Sequence, residues 1–189
     1  HRFTMLDFLK RIGRSNFGMF VLFVSAMNFT VYLVSPFFAV FMIRDLNFNY
    51  MTFTIITIAA QLTMFVSMSS WGRHADHIGN RKILKTTSVF VPFIPILWLF
   101  SHNVLYLIII QIFAGFLWAG FNLSASNFIY DAVTPQKRTR CIAYFNVING
   151  LAIFLGASAG GYLLKILPPL FGYRVLTLAL ISGVLRGGA

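Results

Sequence analysis

The stretch WGRHADHIGNRKILK, residues 71–85, gathers four of the chain's fifteen Lys and Arg residues, two of its four His and one of its four acids. Residues of these types could do two kinds of chemistry. His74, Asp76 and His77 could offer a metal nitrogen and oxygen donors, but three ligands in one short segment, with no second cluster, make a weak site. Asp76 among Arg73, Arg81, Lys82 and Lys85 is better suited to reversible charge pairing. Such a pair at a half-buried interface gains at most roughly a few kcal/mol, and desolvation offsets much of that. The rest of the chain is poor in reactive groups. It has no Glu, and His1 and His102 stand apart from any cluster. No Ser lies in a Gly-x-Ser-x-Gly setting, and the single Cys141 excludes an intrachain disulfide and a Cys-based zinc cluster. No enzyme is expected, and neither a metal nor a cofactor.

The elements that hold this stretch are read from composition. The chain is 58% hydrophobic and 10% charged, with a mean hydropathy of +0.80, where a soluble domain has about 45–50% apolar and about 25% charged residues. This is the composition of a polytopic membrane protein. A helix needs roughly 20 apolar residues to cross the hydrocarbon, and the apolar runs fall at about 17–43, 51–71, 83–100, 104–130, 141–167 and 175–189. The last reaches Arg186 after eleven residues, too few to cross, and the sequence opens on His1, so both termini are expected to be cut. The basic opening resembles a signal sequence, but the 27-residue run behind it is too long for a signal-peptide core.

The net charge of +11 does not indicate a nucleic-acid partner, because the basic residues sit in short clusters between apolar runs and not along one soluble face. Assigned to alternate sides, eleven of them (Arg2, Lys10, Arg11, Arg14, Arg73, Arg81, Lys82, Lys85, Lys137, Arg138 and Arg140) share one side. Arg44, Lys165 and Arg174 share the other. The positive-inside rule places the eleven, and the N-terminus, in the cytoplasm. Residues 71–85 are then expected to be a short cytoplasmic hairpin loop. A topology signal would need only the cations, and it leaves Gly72, Asp76 and Gly79 unexplained.

The segment Gly72, Asp76, Gly79, Arg81, Lys82 resembles the signature between the second and third helices of the major facilitator superfamily, G-x-x-x-D-[RK]-x-G-R-[RK]. It departs from that form at His77 and Asn80. DAVTPQKR resembles the loop after the family's fourth helix, GASAGG the glycine-rich fifth helix, and FGYR the opening of the sixth. The resemblance covers the whole of residues 1–189. It implies an all-α membrane protein, a six-transmembrane-helix bundle forming the N-terminal half of a twelve-helix fold, lying in the plasma membrane. The implied function is secondary active or facilitative transport of a small organic solute by alternating access, with the other six-helix half as partner. Gly72, Asp76, Gly79, Arg81 and Lys82 would then form a conformational latch, with Asp131 and Arg138 as its partners within this half.

Polar residues at helical spacing mark a candidate pathway. Ser25, Asn28, Tyr32 and Ser35 share a stripe on the first run, Thr54, Thr57, Gln61 and Met64 on the second, and Gln111, Gly115, Trp118 and Asn122 on the fourth. Asn146 and Asn149 lie one turn apart on the fifth. Such side chains can line an aqueous cavity or bond between helices. Ala152, Gly156 and Gly160 form a small-residue strip, read either as a sliding surface between halves, as the resemblance implies, or as static packing inside one half. The strip lacks the proline of the family's antiporters, with Ser158 and Ala159 in that neighbourhood.

No Asp or Glu lies inside a complete run, so a proton-relay acid would have to belong to the other half. Where Gln111 stands, the family often has Arg. Arg186 is either an intramembrane functional cation or the end of a short helix. The rival classes are a membrane-embedded interaction or scaffold protein without transport, and, behind it, an integral membrane enzyme.

Overall fold

A computed structural model describes residues 15–188. Arg2, Lys10, Arg11 and Arg14, the first basic cluster, lie outside the described residues. Within them the chain is all-helical. Helix α1 (Asn16–Tyr32) runs on through α2 (Ser35–Val40) and a π turn (Phe41–Asp45). Then come α3 (Tyr50–Ile78), α4 (Asn80–Phe90), α5 (Phe93–Leu97), α6 (Val104–Ala132), α7 (Pro135–Ile166) and α8 (Arg174–Gly188). Four segments are long and apolar enough to cross a membrane: Asn16–Asp45, Tyr50–Ile78, Val104–Ala132 and Pro135–Ile166. The expected runs 83–100 and 175–189 fall short of that measure. Prolines divide the first of them between α4 and α5, and α8 has 15 residues.

The helices start where side chains can serve their free N–H groups. Ser15 Oγ accepts from Gly18 N at 2.9 Å, Asn49 Oδ1 from Thr52 N at 2.7 Å, and Asn103 Oδ1 from Leu105 N at 2.9 Å. Pro135 opens α7 at a position where a missing N–H costs nothing. Prolines also break helices. Pro36 cannot donate to the Tyr32 carbonyl, and α1 ends there; Pro95 cannot donate to Val91, and α4 gives way to α5.

Residues 71–85 are not the hairpin loop that the charge pattern suggests. Helix α3 continues to Ile78 and α4 begins at Asn80, which leaves Gly79 as the only joint. Its φ of 84° and ψ of 146° lie where essentially only glycine is at ease. Charge does not oppose helix formation, so Arg, Lys and Ala carry the rods past the apolar stretch. Residues 131–140 are compressed in the same way, with α6 reaching Ala132 and α7 starting at Pro135.

Two parallel helix pairs hold the bundle: α1 with α7 and α3 with α6. A methyl group added at Gly156 would meet the carbonyl oxygen of Phe29, and one at Gly160 that of Leu33, so α7 lies against the α1 backbone. Likewise a methyl at Gly115 of α6 would meet the carbonyl oxygen of Ala60 on α3. Lipid supplies no hydrophobic drive between helices, so close backbone approach and its dispersion attraction must supply the adhesion. The small-residue strip is therefore taken up, at Gly156 and Gly160, by packing against α1 rather than by a surface left free to slide; Ala152 is half-buried beside them. Phe20 stacks on Phe128 of α6 at 4.5 Å, tying the pairs together. The outward faces of α3 and α7 expose Phe65, Val66, Phe154 and Tyr162, a surface suited to hydrocarbon.

Gly160→Val is expected to destabilise the protein by about 2 kcal/mol or more, by forcing a branched side chain against the α1 backbone. Gly150→Ala, inside α7 with nothing within 4 Å of the added methyl, is expected to stabilise by up to about 1 kcal/mol through helix propensity. Thermal unfolding in detergent of the two variants beside the parent checks this.

Candidate functional site

The proline break at Pro36 in the first segment lies beside the polar stripes of α3 and α6. Between these three lies a cavity of about 670 Å³, closed also by Ile94, Trp98 and Arg186. Its volume is in the range of small-molecule sites, about 300–1,000 Å³. Asn28, Tyr32 and Ser35 line it from the first segment, Thr57, Gln61 and Met64 from α3, and Gln111, Gly115, Trp118 and Asn122 from α6. The helical stripes read from spacing thus converge on one space. No acid lines it. Its polar groups are amides, hydroxyls and one guanidinium, which bind by donating and accepting hydrogen bonds.

Not every pathway residue reaches this wall. Asn146 and Asn149 are not among its lining residues. Asn146 is exposed on α7, and Asn149 Oδ1 accepts from Asn28 Nδ2 at 2.7 Å. Asn28 therefore has both available roles: it lines the cavity and bonds between helices. The bond also orients it, since a donor committed to Asn149 leaves the Asn28 carbonyl oxygen for other partners. Asn122 Nδ2 meets only the weak acceptor Met64 Sδ, at 3.9 Å, so its amide remains open to a stronger partner. Thr57 Oγ1 bonds back to Phe53 O at 2.9 Å and is spent on its own helix.

At the basic end the structure differs from the expected pairing. Asp76, Arg81 and Lys82 are exposed, and among the described residues Asp76 makes no ion pair. Asp131 Oδ2 accepts from Asn80 Nδ2 at 3.2 Å, while Asn80 Oδ1 accepts from Asn127 Nδ2 at 3.1 Å. Arg138 Nη2 donates to the Tyr130 carbonyl at 3.0 Å, and its guanidinium lies 5.1 Å from the Tyr130 ring centre. Among the described residues Asp131 and Arg138 are therefore not joined to Asp76 and Arg81. The carbonyl at the end of α6 accepts from Arg138, and the Asn80 amide, with both a donor and an acceptor, bridges α4 to α6 through Asp131 and Asn127. Sequence reasoning missed Asn80 because it stands only as a departure from a motif. Gly72 is half-buried in α3. Trp71 beside it donates from Nε1 to the Phe116 carbonyl at 2.8 Å, a contact no spacing rule reveals.

At the opposite end a cluster of rings begins at Phe38 and Trp98 of the cavity wall. Trp98 stacks on Phe38 at 4.3 Å, and Phe41 makes edge contacts with His102 at 5.4 Å and Tyr173 at 5.1 Å. Tyr173 is held there by the turn at Phe171 and Gly172, which pairs Leu170 N with Tyr173 O at 3.1 Å and Tyr173 N with Leu170 O at 3.0 Å.

A family model described as Major Facilitator Superfamily matches residues 18–186, which takes in every described helix apart from its outermost residues. No curated protein matches the sequence.

The Asn28–Asn149 bond is expected to couple the two residues by about 0.6 kcal/mol, the scale of interhelical hydrogen bonds in membrane proteins. A double-mutant cycle with Asn28→Ala and Asn149→Ala, read by unfolding free energy, measures it. A coupling of zero would mean that the two amides do not meet.

Proposed function

We propose, from the premise that the chain belongs to the major facilitator superfamily and is an integral membrane transporter, that it moves a small organic solute by alternating access. The observation that carries this reading is the 670 Å³ cavity, walled by Asn28, Gln61, Gln111 and Asn122 and by the rings of Tyr32 and Trp118. Amides at the ends of short side chains recognise hydroxyls, amides and carbonyls, and rings cover the apolar part of a solute.

In this reading residues 1–189 are the N-terminal six-helix half of a twelve-helix bundle, with α4–α5 as the third crossing and α8 as part of the sixth. The end bearing Arg73, Arg81, Lys82, Lys85, Lys137, Arg138 and Arg140 faces the cytoplasm of the cell, across the plasma membrane. There Asp76 and Arg81, exposed and unpaired within this half, are free to close against the other half and release it in each cycle. Gly79 lets α3 turn directly into α4, and both pack on α6, so that these charges move as one body. The aromatic closure around Trp98 is the opposite gate. Such rocking carries a solute only if both gates never open together.

The test is solute flux in vesicles containing the full chain. Gln111→Ala is expected to raise KM about tenfold, the equivalent of about 1.4 kcal/mol lost from solute binding. Asp76→Asn is expected to lower kcat with KM little changed. Thiol labelling of His74→Cys and Lys137→Cys is expected from one membrane face only. Flux no greater than in empty vesicles across sugars, amino acids and organic acids would favour a membrane scaffold, and labelling of the two positions from opposite faces would end the topology.

A further inference from the structure

Among the described residues Arg186 is the only cation buried below a tenth exposure, at 4%. It is poorly served. Nη1 reaches the Val91 carbonyl oxygen at 3.5 Å, the outer limit of a hydrogen bond, and Nε has no partner. That carbonyl also receives the Ile94 N–H at 3.2 Å, so it offers the guanidinium only part of its capacity.

Arg186 also belongs to two spaces at once. It lines the polar cavity, and it lines a second crevice of about 450 Å³ whose wall includes Arg81, Lys85 and Ser88. The crevice carries three cations and no acid, and the cavity carries no acid and no second cation. The acids of the described residues, Asp45, Asp76 and Asp131, line neither. A buried guanidinium without a counter-charge is costly. Among the described residues nothing supplies the compensating charge, and the space beside the guanidinium has room for an occupant that brings it.

We infer that the transported solute carries a carboxylate or phosphate group, which Arg186 receives in the cavity and which Arg81 and Lys85 draw onward through the crevice. The inference rests on the transport reading and names its substrate class. A guanidinium meets either group through two parallel N–H donors, and Nε, buried and without a partner among the described residues, is a donor still to be satisfied. The exposed Arg81 and Lys85 raise the local concentration of anions at the mouth of the crevice. The amides of Asn28, Gln61 and Gln111 then read the neutral part of the same molecule.

The test follows thermal unfolding of the full chain in neutral detergent, at fixed ionic strength, with inorganic phosphate, malate or 3-phosphoglycerate added and mannitol as the uncharged control. At least one of the three anions is expected to raise Tm saturably, and mannitol is not. Arg186→Gln is expected to weaken the apparent Kd at least tenfold, Arg186→Lys to recover part of it, and Arg81→Gln with Lys85→Gln to weaken it several-fold. If Arg186→Gln does not fold, the lysine and crevice variants carry the comparison.

Stabilisation by none of the anions, or stabilisation unchanged in Arg186→Gln, overturns the inference. So does stabilisation by phosphatidylglycerol vesicles, over phosphatidylcholine vesicles, with no response to the soluble anions, which would assign the crevice to a lipid headgroup. Flux of a neutral solute without anion binding removes the anionic substrate and leaves transport standing. Anion binding at Arg186 without flux in vesicles removes the transport reading, and the anionic substrate with it.

Discussion

In hydrocarbon every backbone N–H and C=O must find a partner within the protein, because no water is there to supply one. This constraint makes the molecule a set of rods, and it decides where the rods are allowed to break. The breaks at Pro36 and at Pro92 and Pro95 both fall beside the polar cavity, where other groups can meet the loosened backbone. At Val91 that group is the guanidinium of Arg186. The interruptions thus create the recess and are tolerated because of it. An unbroken α1 or α4 would satisfy its own backbone and leave less room between the helices.

Much of this was legible in the residues, for a physical reason. Helix periodicity places every third or fourth side chain on one face, so the stripes containing Asn28, Gln61 and Gln111 could be traced before their convergence was visible. Lengths were legible wherever the apolar pattern was unbroken, as in Val104–Ala132. The joints were not, because charged residues mark the end of the hydrocarbon and not the end of the helix. Residues 71–85 are rich in charge and still helical on both sides of Gly79.

Partner choice was the least legible layer. Two amides on different helices give no sign in sequence that they will meet, so Asn149 was read as pathway lining when its carbonyl oxygen serves Asn28. The acid and cation at the end of α6 and the start of α7 have opposite charges, and pairing them with Asp76 and Arg81 is the natural first guess. The structure prefers the nearer neutral groups, Asn80 for Asp131 and the Tyr130 carbonyl for Arg138. Asp76 is left uncommitted among the described residues as a result, a property that depends on geometry and not on the presence of the charge.

The pairing of α1 with α7 also dictates an order of birth. Asn28 and Asn149 are 121 residues apart in the chain, and a ribosome adding about 5–20 residues per second needs roughly ten seconds to cover that distance. For that interval the first helix has been delivered to the bilayer without the surface that seats it, its amide unmatched and its glycine-lined neighbour still unmade. The first helix satisfies its own backbone meanwhile, but its close packing waits until the fourth long segment, Pro135–Ile166, emerges to claim it.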